Sequence, residues 1–102
     1  GEGCWIDNLD KVFIGSNVCI SQGTLLLTGN HDYTVSSMPY RNAAIHIEDG
    51  AWIGAKTTVC PGVTMHRNAI LTVGSVATKD MEEKGIYQGN PATKVRERKM
   101  IR

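Results

Sequence analysis

This 102-residue chain contains three histidines, residues that can transfer protons or bind metal ions near neutral pH. His31 follows the segment LLLTGN and stands where a regular, apolar stretch gives way to a polar one. An imidazole with an ordinary pKa of about 6.5 can take a proton at neutral pH, so His31 is a candidate general base. His46 and His66 follow at intervals of 15 and 20 residues, with no His-x4-His pair. This spacing does not favour a shared metal site, and we predict no metal.

Cysteine usage and net charge narrow the class of protein. Cys4, Cys19 and Cys60 are an odd number, widely spaced and without a CxxC motif, so we interpret them as reduced thiols and expect a cytoplasmic location. The balance of 11 Lys plus Arg against 10 Asp plus Glu argues against a nucleic-acid partner. No apolar run approaches the roughly 20 residues that a membrane span requires.

A six-residue period defines the elements that must position these side chains. Eight of nine positions spaced by six hold Ile, Leu, Val or Met, and the series comprises Ile14, Ile20 and Leu26, then Ile47, Ile53, Val59, Met65, Leu71 and Ala77. A period of six fits neither a helix nor an isolated strand, but it fits short strands separated by turns at regular corners. The sequence therefore predicts an all-β triangular solenoid, with three six-residue segments in each coil and the aliphatic side chains inside.

The interruptions of the period predict the organisation of a single domain over residues 1–102. We expect the first coils in 1–30, an extruded loop in 31–46, later coils in 47–82 and a C-terminal extension in 83–102. The step from Ile6 to Ile14 is eight residues, which predicts a bulged corner at residues 8–10. The loop is polar, and loops of this length on a rigid scaffold are often functional. Residues 92–102, rich in Lys and Arg, predict a short basic helix.

Five motifs carry a family resemblance: IGSNVCIS, TGNHDY, IEDGAWIGAKTTVCPGVTM, VGSVATKDM and GNPATKV, in this order over nearly the whole chain. Together they resemble the hexapeptide-repeat acyltransferases, most closely the maltose, galactoside and colanic-acid acetyltransferase branch. The resemblance implies a left-handed parallel β-helix, an exception to the usual right-handed crossover. It also implies a homotrimer that binds acetyl-coenzyme A in a groove between neighbouring subunits.

The same resemblance assigns roles along the reaction path. It implies that His31 takes a proton from the acceptor hydroxyl, which attacks the thioester carbonyl directly. A backbone N–H of a coil wall is the expected donor to the oxyanion. Two roles stay open for Asp32, which either orients the imidazole or caps the backbone of the loop.

Carried over by motif, the resemblance places coenzyme A along the later coils. The implied contacts are Gly54, Ala55, Val73, Gly74, Thr78 and Lys79, with Pro91 packing on the adenine. Arg96 and Arg98 are our choices for the phosphates, which planar guanidinium groups match in bidentate fashion. Ala55 stands where relatives often have Ser, and Val73 stands where they usually have a small residue. These two departures remove a hydroxyl contact and narrow the groove.

We expect the acceptor to lie between the loop and the neighbouring coil. Asp7 and Asn8 match a segment that holds hydroxyls in sugar acetyltransferases, and Tyr33 and Trp52 are candidate apolar or stacking walls. Trp52 is equally suited to interface packing in the trimer.

The sequence thus predicts an acetyl-CoA-dependent O-acetyltransferase that acts on a hydroxylated small molecule, a sugar or saccharide. Two alternatives remain. Xenobiotic acetyltransferases, which modify antibiotics, share the scaffold and the loop histidine but tend to carry longer insertions. A catalytically silent solenoid, serving as an assembly or binding module, is the other. The γ-class carbonic anhydrases use the same solenoid with three zinc-binding histidines, and the histidine spacing here argues against that chemistry.

Overall fold

A computed structural model describes residues 1–7 and 9–101. This part of the chain forms short strands and no helix, and so has no helix that could cross a membrane. The strands are β1 Trp5–Asp7, β2 Val12–Ile14, β3 Cys19–Ile20, β4 Leu25–Leu27, β5 Ile45–Ile47, β6 Trp52–Ile53, β7 Thr58–Val59, β8 Thr64–Met65, β9 Ile70–Leu71, β10 Val76–Ala77, β11 Gly85–Gly89 and β12 Ala92–Glu97.

The strands stack into three sheets, one on each side of a triangular coil. The first sheet has the order β1-β4-β7-β10, the second β2-β5-β8, and the third β3-β6-β9-β11-β12. All neighbours are parallel except β11 and β12. The chain visits the three sheets in turn, so the solenoid is an elongated prism of 52 × 25 × 19 Å. The predicted β-solenoid is confirmed.

Three corners join the sheets, and each is named here by the sheets that it links. The first corner, between the first and second sheets, contains residues 28–44, 60–62 and 78–80. The second corner, between the second and third sheets, contains residues 15–17, 48–50, 66–68 and 82–84. The third corner, between the third and first sheets, contains residues 21–23, 54–56 and 72–74.

The second corner illustrates why the backbone turns at these residues. One residue of each coil has a positive φ there, a region that Gly and Asn enter at little cost. These residues are Asn17 (57°), Gly50 (75°), Asn68 (62°) and Lys84 (61°). Glycine and asparagine therefore recur at this corner because its turn requires a left-handed backbone.

The core is built from three columns of side chains in register from coil to coil. The columns are Ile6, Leu26, Val59 and Ala77 on the first sheet, Ile14, Ile47, Met65 and Met81 on the second, and Ile20, Ile53, Leu71 and Tyr87 on the third. Leu26, Ile53 and Leu71 are at most 1% exposed, whereas Ile6 and Ile14, in the first coil, are 41% and 43% exposed. Burying one such side chain contributes about 1.5–3 kcal/mol.

The extruded loop leaves the first corner between β4 and β5. The step from Leu26 to Ile47 links adjacent sheets, so it carries 15 residues beyond the usual six. The two legs of the loop are joined by hydrogen bonds from the Asp32 N–H to the Pro39 carbonyl (2.9 Å) and from the Arg41 N–H to the Asn30 carbonyl (2.6 Å). Strand β5 begins at Ile45, inside the range 31–46 assigned to the loop from the sequence. Ile45 is fully buried, because its side chain enters the core with that of Ile47.

The C-terminal segment corrects a prediction. The short basic helix expected in residues 92–102 is wrong for the described part, because Ala92–Glu97 is strand β12. It pairs antiparallel with β11, the last strand to continue the parallel third sheet. Without β12, β11 would present an unpaired edge, and the alternating β-branched Thr93 and Val95 suit an extended backbone. Tertiary pairing therefore overrides the charge pattern that suggested a helix.

Candidate active site

His31 lies at the start of the loop, with one face of its ring against Tyr40. The ring centroids are 4.7 Å apart and the planes are inclined by 31°. The Nδ1 atom lies 2.8 Å from the backbone oxygen of Met38 on the opposite leg of the loop. A carbonyl oxygen only accepts, so Nδ1 donates and carries the proton of the neutral ring. Nε2 is then the basic nitrogen, on an exposed side chain.

Asp32 caps the turn of the loop. Its Oδ1 atom accepts hydrogen bonds from the Thr34 hydroxyl (2.5 Å) and the Thr34 N–H (3.1 Å). These two hydrogen bonds lower the pKa of the Asp32 carboxyl below its ordinary value, and the bond from the hydroxyl has the larger effect. Of the two roles left open by the sequence, this geometry favours the backbone cap. The carbonyl of Met38 orients His31 instead, and no sequence signal could have found it because every residue carries a carbonyl.

Asp7 lies at the root of the loop, at the end of β1 and opposite Leu27 of β4. A Cβ atom built on Gly29 would lie 3.3 Å from the Oδ2 atom of Asp7. The carboxylate is therefore beside the backbone two residues before His31. Asn8, predicted with Asp7 to bind the acceptor, lies outside the described residues.

The two predicted aromatic walls lie in different places. Tyr33 is on the loop, beyond His31, and is 85% exposed. Trp52 is on the outer face of the third sheet, where its Nε1–H donates to the Ser21 hydroxyl at 3.2 Å. Within one chain, the third sheet faces away from the corner that bears His31. The structure therefore brings Tyr33, and not Trp52, to the histidine's side of the solenoid.

Four of the predicted coenzyme contacts stack at the third corner. The Gly74 N–H donates to the Ala55 carbonyl at 2.9 Å. A Cβ atom on Gly54 would lie 2.7 Å from the nitrogen of Val73, so the coils approach too closely for a larger residue. The Val73 side chain is 70% exposed. The third corner is thus a tight backbone ridge from which one apolar side chain projects.

The other predicted coenzyme contacts lie elsewhere. Thr78 and Lys79 are exposed at the first corner, two coils beyond the loop. Pro91 is exposed in the turn between β11 and β12, and Arg96 is exposed on β12 opposite Ile86. Arg98 is half-buried, and one of its guanidinium nitrogens donates to the second-corner carbonyls of Gly50 (2.9 Å) and Asn68 (3.4 Å).

The remaining histidines occupy separate surfaces. His46 stacks on Phe13 on the outer face of the second sheet, with centroids 4.6 Å apart and planes inclined by 10°. The Nδ1 atom of His66 lies 3.3 Å from an oxygen of Glu48 at the second corner. Among residues 1–7 and 9–101, no three His, Cys, Asp or Glu side chains are grouped so as to hold a metal ion. The three cysteines are free thiols, and burial raises the pKa of Cys60.

Comparison with known proteins places this geometry in a class. No protein-family model matches the chain. The chain is 34% identical over 90 residues to the galactoside O-acetyltransferase of Escherichia coli K12. The aligned region covers 84% of this chain and 44% of that protein. The chain is 31% identical over 113 residues to a chloramphenicol acetyltransferase of Klebsiella aerogenes, covering 90% and 54%. The chain spans about half the length of the curated relatives it matches.

A solved structure gives the same result for the fold. The hexapeptide-repeat-containing acetyltransferase of Vibrio cholerae, complexed with acetyl coenzyme A, superposes with a TM-score of 0.89 at 27% identity, covering 96% of this chain and 55% of that one. In sequence and in fold, the chain resembles the hexapeptide-repeat acetyltransferases, with their left-handed parallel β-helix. The resemblance predicted from the five motifs is confirmed.

Proposed function

We propose that this chain carries the transfer centre of an O-acetyltransferase that moves an acetyl group from acetyl-CoA to a hydroxyl of a sugar or saccharide. The observation that carries the proposal is the orientation of His31. Its Nδ1–H is committed to the Met38 carbonyl, so Nε2 presents a lone pair to solvent beside the loop root. A base held in one tautomer and one ring orientation is what proton abstraction from a hydroxyl requires.

The reaction is a direct transfer within a ternary complex. Nε2 of His31 takes the proton of the acceptor hydroxyl while the hydroxyl oxygen bonds to the thioester carbonyl carbon. The tetrahedral intermediate collapses as the C–S bond breaks, and the thiolate of coenzyme A receives the proton from the imidazolium. The chain's contribution is to position the hydroxyl, the base and the carbonyl, and a backbone N–H near the thioester supplies the oxyanion with a donor.

The separation of the predicted coenzyme contacts supports a homotrimer. His31, Thr78 and Lys79 lie at the first corner of a chain, whereas Ala55 and Val73 lie at its third. A groove between subunits joins the two sets, because the first corner of one subunit faces the third corner of the next. Acetyl-CoA then lies along the later coils, with Gly54 and Gly74 completing the ridge and with Pro91 and Arg96 on the C-terminal hairpin towards the nucleotide. Arg98, which follows β12, holds the end of the hairpin against the second corner.

The acceptor side of the site is the loop root. Asp7 provides a carboxylate that accepts from sugar hydroxyls, and its position beside Gly29 puts such a sugar within reach of the loop. Asn8, the next residue in the sequence, and the exposed ring of Tyr33 complete the proposed acceptor site. Trp52 is assigned to packing against a neighbouring subunit. The free thiols are consistent with a reducing, cytoplasmic location.

A second candidate, acetylation of an antibiotic hydroxyl, is favoured by one observation. The relative from Klebsiella aerogenes, 31% identical, is a chloramphenicol acetyltransferase. The same base and the same donor serve both reactions, so the acceptor alone distinguishes them.

A thiol-release assay with acetyl-CoA, run over galactosides, maltose and chloramphenicol, tests the proposal. We expect turnover on a saccharide, with His31→Ala lowering kcat by about 10²- to 10⁴-fold. His46→Ala is the matched control because His46 is an exposed histidine on the outer face of the second sheet, where its ring stacks on Phe13, and it should leave the rate unchanged. The absence both of turnover on every acceptor and of coenzyme A binding by calorimetry would overturn the enzyme assignment and favour a silent solenoid. A higher kcat/KM for chloramphenicol than for any saccharide would select the second candidate.

A further inference from the structure

Thr28 is a fully buried threonine at the root of the loop, directly after β4. Its hydroxyl donates to the backbone carbonyl of Asp7 and accepts from the N–H of Asp10, at 2.9 Å. One side chain thus satisfies a donor and an acceptor on the two sides of the bulged corner that separates β1 from β2. Buried backbone groups of this kind are costly to leave without a partner.

The second leg of the loop is attached to the same bulge. The side-chain amide of Asn42 donates to the Leu9 carbonyl at 3.2 Å. The Ala43 N–H donates to the carbonyl of Thr28 at 2.9 Å, which joins the two legs where they meet the coil. The eight-residue step from Ile6 to Ile14 therefore has a structural consequence. The described residues of this step, Asp7 and residues 9–11, form a bracket on which both legs of the loop are held.

Thr24 shows what a buried threonine does at a corner without a loop. It is 1% exposed, and its hydroxyl lies 2.8 Å from the carbonyl of Ser21, three residues earlier, and 3.3 Å from the carbonyl of Gly54 in the next coil. The partners of Thr28 are instead 18 and 21 residues away, in the preceding coil. Both hydroxyls therefore contact a neighbouring coil, but only that of Thr28 contacts the backbone of the bulged corner beside the loop.

We propose that the Thr28 hydroxyl is a positioning group for the transfer reaction. It fixes the loop root against the bracket and thereby sets the position of His31, three residues further on, relative to the carboxylate of Asp7. The catalytic consequence rests on the proposed function, in which His31 is the base and Asp7 binds the acceptor. The hydrogen bonds that tie the Thr28 hydroxyl to Asp7 and Asp10 do not depend on the proposed function.

Three variants distinguish a positioning role of the Thr28 hydroxyl from a general effect on the stability of the protein. Thr28→Val keeps the shape and removes the hydroxyl, Thr28→Ser restores a hydroxyl, and Thr24→Val removes an equally buried hydroxyl four residues away. With acetyl-CoA and a nitrophenyl galactoside, we expect Thr28→Val to lower kcat/KM for the galactoside by about 10- to 100-fold, since small misplacements cost rates of this order. The KM for acetyl-CoA should stay within about twofold of wild type, because the third corner is untouched.

Thr28→Ser should recover most of the lost activity. At saturating acetyl-CoA and at a temperature where it is fully folded, Thr24→Val should change kcat/KM for the galactoside by no more than about twofold. Equal losses in Thr28→Val and Thr24→Val, or no recovery in Thr28→Ser, would overturn the positioning role.

Amide hydrogen exchange supplies a readout that needs no acceptor. In Thr28→Val we expect faster exchange in residues 28–44 and in Asp10, with the strands of the later coils unchanged. Thr24→Val should speed exchange at the third corner and leave the loop as in wild type. A loop that exchanges at the wild-type rate in Thr28→Val would refute the tie. If wild type turns over no acceptor, the proposed function fails, and exchange still decides whether Thr28 holds the loop.

Discussion

The imidazole of His31 is held by the backbone oxygen of Met38, 2.8 Å from Nδ1, across the two legs of a loop. This contact fixes the tautomer without a second side chain, because a carbonyl can only accept. It also makes the base depend on the shape of the loop, since a shift of either leg breaks the bond. The chemistry of the proposed site is therefore set by loop geometry as much as by residue identity.

The pH dependence of the loop cap follows from the lowered pKa of Asp32. Thr34 lowers the pKa of Asp32 below its ordinary value of 3.8, so the carboxylate is ionised throughout the neutral range. Its stabilisation of the loop is fully present above the ordinary pKa and is lost only as pH falls through the lowered one. We expect the difference in free energy of unfolding between wild type and Asp32→Asn to be constant from pH 5 to pH 8 and to fall only at lower pH. Urea unfolding at a series of pH values measures this difference.

Asp32→Asn is the comparison for that profile because it cannot ionise. The amide keeps an oxygen for the Thr34 hydrogen bonds but has no charge, so this variant should lack the loss of stability at low pH. A difference between the two proteins that changes between pH 5 and pH 8 would contradict the lowered pKa of Asp32.

The two C-terminal arginines should separate into a ligand contact and a structural one. Arg98 donates to the carbonyls of Gly50 and Asn68, so Arg98→Ala should lower the free energy of unfolding by about 1–2 kcal/mol. Arg96 is exposed on β12, and Arg96→Ala should leave stability unchanged while raising the KM for acetyl-CoA several-fold. Urea unfolding and initial rates measure the two effects. The reverse pattern would assign the phosphates to Arg98.

The loss of stability on truncating a core side chain should depend on how deeply that side chain is buried in the prism. Leu71 is fully buried between Ile53 and Tyr87, and Leu71→Ala should cost about 2–5 kcal/mol. Ile14 belongs to the same kind of column but is 43% exposed, so Ile14→Ala should cost about 1 kcal/mol. Chemical denaturation of both variants checks the gradient. Equal losses would show that the exposed end of the solenoid is covered in solution.

The proposed homotrimer predicts both the mass in solution and the concentration dependence of coenzyme A binding. Light scattering should report about three times the chain mass of 11.1 kDa, since closed cyclic symmetry suits a groove shared by neighbours. Coenzyme A binding, followed by calorimetry on dilution, should weaken as the trimer dissociates, because the first and third corners then separate. A monomer that binds coenzyme A with undiminished affinity would contradict the shared groove.

The six-residue period of the sequence is sufficient to predict the scaffold. A sustained period of six specifies short strands and corners, and the side chains that it selects, Leu26 and Leu71 among them, are the ones that the core buries. The bulge between Ile6 and Ile14, the loop that follows β4 and the proposed base, His31, were readable for the same reason. Each is a departure from a repeat that local turn geometry and hydrophobic burial impose at every coil.

The contacts that hold the proposed site depend on the folded chain and could not be predicted from the sequence. The bond from His31 to Met38 and the tie from Thr28 to Asp7 both end on backbone oxygens, which carry no residue identity and come close only when the loop folds back or the coils stack. The extended form of β12 was likewise decided by the unpaired edge of β11, a partner that the basic composition of residues 92–102 does not reveal. Spacing along the chain selects the scaffold, whereas contacts between coils and across the loop orient the groups that it carries.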